Sequence, residues 1–231
     1  MQISTQKTSN LISNHHGFSL IEIMVALVLA ALIFIAVPRS DSTQKHRDLQ
    51  TSLNDIDRAV RFASNEAVLR NTVVRLRINL DEQPIAYVVE YGPQGNLPLP
   101  DLPDKASMSL DEEKALLDKK AALNRQFTKV AEFEDIKHSI PETITILGVA
   151  STSQKKLIKE GEANIYFFPT GEKDGGLLFF TSGEEIAYLV IEPFLSETEL
   201  VFEPLKSSSV AKVGDLLQTR MDEVYREWTT K

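Results

Sequence analysis

The sequence predicts an α+β protein in which one long N-terminal helix, transmembrane in its first half and amphipathic in its second, packs on a mostly antiparallel β-sheet. Three observations predict it. Residues 18–37 are apolar apart from Ser19 and Glu22. Between residues 49 and 67 apolar side chains then recur at steps of four and three. From residue 72 onward six to eight short β-branched and aromatic runs are separated by turn residues, the pattern of an antiparallel sheet added to a helix.

The apolar run comes first. Twenty helical residues at about 1.5 Å each match the hydrocarbon core of a bilayer, about 30 Å thick, so residues 18–38 are expected to form a transmembrane helix. Glu22 is the anomaly within it. A carboxylate at that depth costs about 3 kcal/mol on insertion scales, which marks it as a functional residue in need of a cation. The run contains no Lys, Arg or His to supply one. Lys7 stands before the run and Arg39, Lys45 and Arg47 after it, a count that by itself would put the C-terminal side in the cytoplasm. The run is longer than the core of an ordinary secretory signal, and it ends in Ala36-Val37-Pro38-Arg39 without a small-x-small cleavage pattern.

Beyond Pro38, which can kink a helix, residues 39–71 are expected to continue it as an amphipathic segment. Leu49, Leu53, Ile56, Val60, Ala63 and Ala67 make one apolar stripe, and Asn71 is the expected stop. Residues 72–204 form the expected β-rich domain. Thr72 to Leu80 and Ile85 to Tyr91 flank the turn-like DEQP as a hairpin. Further strands are expected at Thr128 to Ile136, Thr143 to Val149, Ala163 to Phe168, Leu177 to Thr181, Ile186 to Ile191 and Glu199 to Phe202. PTGEKDGG at 169–176 and TSGEE at 181–185 read as turns.

Two stretches stand outside this plan. Residues 92–127 form an insertion: a Pro-rich GPQGNLPLPDLPD, then a charged helix that opens with a capping box at Ser109 and Glu112. In the tail, 205–231, Val213, Leu216, Leu217, Met221, Val224, Tyr225 and Trp228 fall near helical spacing, which predicts a helix docked on the domain or on a partner.

Composition narrows the function. The chain of 231 residues has 33 Asp and Glu against 25 Lys and Arg, and without residues 1–17 the balance is −9, so nucleic acid is not an expected partner. There is no cysteine for a disulfide, a thiol nucleophile or a Cys-based metal site. His15, His16, His46 and His138 have no metal-ligand spacing, and neither a phosphate-cradling glycine loop nor a nucleophile elbow is present. The acidic runs Asp111-Glu112-Glu113 and Glu132-Glu134-Asp135 read as solvated faces. The expectation is a protein that is not an enzyme and needs neither cofactor nor metal.

The stretch Gly17-Phe18-Ser19-Leu20-Ile21-Glu22 makes the reading specific. A short polar leader ending in Gly, then Phe, then an acid in a long apolar helix, resembles the class III signal of type IV pilins and type II secretion pseudopilins. The resemblance implies a leader at 1–17 removed by a prepilin peptidase after Gly17, N-methylation of Phe18 as the new N-terminus, and pairing of Glu22 with the N-terminal amine of a neighbouring subunit. It also implies a pilin-like fold, and a translocation route on which the flanking charges need not set topology. Within the family, Glu66-Ala67-Val68-Leu69-Arg70 and Phe167-Phe168-Pro169-Thr170-Gly171 are similar to segments of the GspH/FimT subgroup, with Ser64 where that subgroup commonly has Arg.

These likenesses imply a minor pseudopilin near the tip of a type II secretion pseudopilus. It would be a single-pass protein of the bacterial inner membrane, its N-terminus cytoplasmic before processing and its C-terminal domain periplasmic. Major and minor pseudopilins, the prepilin peptidase and the inner-membrane assembly platform would be its partners. A FimT-like minor pilin of a type IV pilus, serving biogenesis or DNA uptake, is the alternative, and a membrane-anchored enzyme a third reading.

Overall fold

The structure is a computed structural model and describes residues 19–36, 41–94, 97, 109–131, 138–154, 156–205 and 213–230. It divides into two units, Met1–Ser40 and Asp41–Lys231. The first unit holds α1, Leu20–Ala36. Ser19 starts this helix, its carbonyl accepting from the Glu22 and Ile23 amides at 2.9 and 3.2 Å.

In the second unit α2, Asp41–Arg70, supplies the spine. Leu49, Leu53, Ile56, Val60, Ala63 and Ala67, the predicted stripe, are all fully buried. Each of the larger four stabilises the fold by about 1.5–3 kcal/mol through apolar area removed from water. Asn71 ends the helix in the left-handed region (φ 52°), a conformation Asn tolerates at a helix C-terminus. Residues 37–40, including Pro38, lie outside the described residues, so the expected join of the two helical halves does too.

The strands are β1 (Val74–Asn79), β2 (Ala86–Tyr91), β3 (Thr128–Lys129), β4 (Thr145–Ser151), β5 (Leu157–Ile158), β6 (Glu162–Phe167), β7 (Gly176–Thr181), β8 (Glu185–Ile191) and β9 (Thr198–Pro204). The sheet expected as one is two, in the orders β3-β2-β1-β6 and β5-β4-β7-β8-β9, and every pairing is antiparallel. The connection from β6 to β7 explains the division. Asp174 within it accepts from the Tyr166 amide and from the Thr152 and Ser153 hydroxyls, which turns the chain away from β6 and delivers β7 to β4. The strand expected over Thr128 to Ile136 shrinks to Thr128–Lys129, and residues 132–137 lie outside the described ones. The two-residue β5 is too short to leave a periodic signal.

Alternation decides the layers. Val74, Leu76 and Ile78 of β1, Ala163, Ile165 and Phe167 of β6, and Leu178, Phe180, Ala187, Leu189 and Ile191 of β7 and β8 join the α2 stripe in the main core. The intervening residues of β7 and β8, Leu177, Phe179, Ile186 and Val190, form a second cluster with Met221 and Val224. Those two residues belong to α4, Val213–Thr230, so the C-terminal helix docks on the outer face of the second sheet. This is why GLLFFT reads as an unbroken apolar run: β7 is buried on both faces. The first sheet's outer face carries α3, Leu110–Asn124, with the predicted capping box of Ser109 and Glu112 in place.

Candidate functional site

Glu22 lies in the first turn of α1, where the helix's unpaired amides favour an acidic side chain. Around it Leu20, Ile21, Ile23, Met24, Val25, Leu27, Val28, Leu29 and Leu32 are each more than half exposed. A helix apolar on every side, with no covering element among the described residues of its own unit, has the surface of one that sits in lipid or among other helices. The described part of α1 is 17 residues, about 25 Å at 1.5 Å per residue. Among the described residues no helix is long and apolar enough to cross a membrane. Gly17 and Phe18, the other two predicted site residues, lie outside the described residues, as does Val37 at the far end of the predicted span.

The residues similar to the GspH/FimT subgroup join α2 to the first sheet. The Glu66 carboxylate accepts from Arg70 Nε and the Tyr91 hydroxyl, and the Arg70 guanidinium lies 4.6 Å over the Tyr91 ring. The Tyr91 bond first, and Arg70 with it, holds the Glu66 carboxyl below its ordinary pKa. Gly171 closes the Pro169-Thr170-Gly171 turn at φ +86°, which a side chain would strain. Both segments thus position elements in the fold.

A buried polar network lies between the outer face of the first sheet and α3, and nothing in the sequence reading anticipated it. Arg75 is 1% exposed, donates to Glu90 Oε2 and Asn124 Oδ1 at 2.6 Å each, and stacks 3.9 Å over the Phe127 ring. Arg77 bridges Glu90 and Glu162, both at 2.8 Å. The alternation in TVVRLRINL could have placed Arg75 and Arg77 on the face away from α2. What it lacks is the cover that the insertion supplies. Beside the network, a cavity of about 350 Å³ is lined by Leu117, Ala121 and Asn124 of α3 and by Gln154, Asn164 and Tyr166. Arg75 and Glu90 have to be treated as a unit, since deleting one partner strands a buried charge at a cost of about 3–5 kcal/mol.

The remaining chemistry-bearing groups serve structure. His46 pairs with Glu185 at 2.7 Å, and the His138 ring lies 5.5 Å from that of Tyr87. Asp174 of EKDGG is buried against three donors as described above. Among the described residues no group of His, Asp and Glu side chains could hold a metal ion.

Residues 12–38 match the model of the Prokaryotic N-terminal methylation motif. No curated protein and no solved structure matches the chain. The match brackets Gly17, Phe18 and Glu22, and it implies an N-terminal membrane anchor, processing by a prepilin peptidase and assembly with other pilins. With this motif ahead of an α+β domain of antiparallel sheets around α2, the chain carries the prepilin-type signal of the type IV pilin-like and pseudopilin family.

Proposed function

We propose that the protein is a minor pseudopilin of a type II secretion system, a structural subunit that helps move folded proteins across the outer membrane. It is not a catalyst but a substrate of the peptidase that cleaves after Gly17 and methylates Phe18. The observation that carries this reading is an acid four residues beyond the first residue of the mature chain, on a helix whose large apolar side chains are exposed around it. Cleavage creates the missing cation. The α-amino group of Phe18, with an ordinary pKa of about 7.7, is largely charged at neutral pH and can meet Glu22 of a neighbouring subunit in the low-dielectric membrane. The α1 helix then anchors the subunit in the inner membrane, and the domain from Asp41 onward lies in the periplasm.

The GspH/FimT likeness also covers FimT-like minor pilins, some of which serve DNA uptake. The acidic balance of the chain favours secretion over that alternative. Co-expression with a prepilin peptidase tests the shared step. Mass spectrometry should find a mature chain beginning at N-methylated Phe18, and Gly17→Ala should abolish cleavage. Normal processing of Gly17→Ala would refute the leader assignment.

A further inference from the structure

Lys173, in the connection from β6 to β7, is a cation without a counter-ion. It is only 4% exposed, yet among the described residues no carboxylate or other acceptor meets its Nζ. The side-chain atoms that are both enclosed and unbonded among those residues are Arg77 Nε, Asn164 Oδ1 and Ser182 Oγ. The Lys173 ammonium is therefore not sealed in: a buried stem brings an unbonded charge to the surface. Burial holds its pKa below the ordinary value, the Arg61 charge on α2 adds to this, and Asp57 pulls the other way. Asp57 is itself occupied, accepting from Arg61 Nε at 2.9 Å on one oxygen and from the Thr198 hydroxyl on the other. Arg61 uses only its Nε there, and its terminal amino groups have no partner among the described residues. Two cations thus share one acid.

Large apolar side chains surround this charge. The loop after β8 is fastened beside it at both ends, since the Lys173 amide donates to the Pro193 carbonyl at 3.4 Å and Thr198 bonds Asp57. Between those ends Phe194 is 82% exposed and Leu195 60%. Val68 and Leu69, which follow Arg61 along the same face of α2, are exposed too. Val68 Cγ2 lies 4.0 Å from the place of a Cβ on Gly171, two residues before Lys173. Exposed apolar side chains gathered on one surface mark a site of protein interaction.

The charge narrows what can dock there. Glu172, Glu192 and Glu197 lie on the same two loops and would repel a nucleic acid or an anionic lipid surface, whereas a single carboxylate can enter between the two cations. We propose that this surface docks a neighbouring pilin-like subunit, which sets an Asp or Glu side chain between Lys173 and Arg61 and apolar residues on Phe194 and Leu195. The inference rests on the assembly that the prepilin signal implies, and it holds for a pseudopilus and a pilus alike. Alone, the domain carries a largely buried cation unpaired. Docked, the same cation gains a charge-assisted hydrogen bond in an interface closed to water.

Lys173→Met keeps the length of the stem and its apolar contacts while removing the charge. In isolated full-length protein in detergent micelles it should leave the unfolding midpoint unchanged or raised. In filaments sheared from cells that also make the peptidase and the other subunits, benzoylphenylalanine in place of Leu195 should cross-link to a neighbouring subunit. Lys173→Met should lower that yield severalfold per incorporated subunit. Mass spectrometry should place the link within a few residues of an Asp or Glu. Lys173→Glu should abolish the link, and changing that acid to Lys should restore it. A yield unchanged by Lys173→Met, or a linked peptide with no acid near it, would overturn the proposal. A lowered midpoint would give the ammonium a partner within the fold and overturn it as well, and a link to a second copy of this chain would overturn it in favour of self-association. A chain neither cleaved after Gly17 nor found in filaments would overturn the assembly reading and the proposal with it, whereas incorporation with an unchanged link overturns the proposal alone.

Discussion

Two carboxylates show how differently one residue type serves this chain. Glu22 is exposed on a helix whose apolar side chains are exposed too, and its proposed partner arrives only on assembly. Glu22→Leu should therefore be cleaved at Gly17 and stay in the membrane, yet lose incorporation into the pseudopilus, as read by shearing and cross-linking. Unchanged incorporation would show that the carboxylate is incidental. Asp174 is the opposite case, buried without an ion-pair partner among the described residues and held by the Ser153 hydroxyl, the Tyr166 amide and the Thr152 hydroxyl. Burial pushes its pKa above the ordinary 3.8, against the pull of those three bonds. The folded state therefore binds this proton more tightly than the unfolded one. The cost of the charged form is fully present above the raised folded pKa, and it is relieved as pH falls from there toward 3.8. Asp174→Asn keeps an acceptor for Ser153 and Tyr166 without the buried charge, and should leave the unfolding midpoint at pH 7 unchanged or raised, with a flatter pH dependence. Asp174→Ala strands the Tyr166 amide and should cost about 1–3 kcal/mol in denaturant melts.

Each secondary-structure element was legible to the degree that its cause is local. The α2 stripe, its stop at Asn71 and the Ser109–Glu112 capping box depend on residues within a few positions of one another, and all appear in the structure. The Gly17-Phe18-Glu22 site is likewise a local motif. The partition into two sheets was not legible, because β1 pairs with β6 across more than eighty residues and nothing in either strand names its partner. The Arg75 network was hidden for the same reason: its cover comes from Asn124 and Phe127, about fifty residues on. The C-terminal helix lies between these extremes, since spacing predicts the helix but leaves its dock open. The dock is the outer face of β7 and β8, reached by Met221 and Val224 and fastened where Arg220 donates twice to Glu203 at 2.7 Å. Met221→Ala should then cost about 2–4 kcal/mol and move the emission of Trp228 toward that of a solvated indole before the rest of the domain unfolds. Asp222→Ala, one residue on but exposed, should change stability by less than about 0.5 kcal/mol. Equal effects of the two would mean that α4 is not docked as described.

For the molecule as a whole, the distribution of charge gives a test of the proposed secretion role against DNA uptake. Non-specific affinity for DNA comes mainly from Lys and Arg that reach phosphates while releasing counterions. From residue 41 onward the chain has 23 Lys and Arg against 32 Asp and Glu, a balance of −9. Many of the cations are already committed: Arg58 to Asp55, Arg61 to Asp57, Arg70 to Glu66, Arg75 and Arg77 to Glu90, Arg220 to Glu203 and Lys45 to Glu184. Arg75 is also sealed under α3, out of reach of any ligand. On α4 Arg220 and Arg226 alternate with Asp222, Glu223 and Glu227, so helical spacing gives no basic face there. A duplex approaching this domain would meet repulsion at long range and few free donors at contact. The fragment from Asp41 to Lys231 should accordingly show no binding to double-stranded DNA in anisotropy titrations at physiological salt. Low-micromolar affinity that weakens steeply as salt is raised would instead require a basic surface, and would favour a FimT-like pilus over the proposed secretion role.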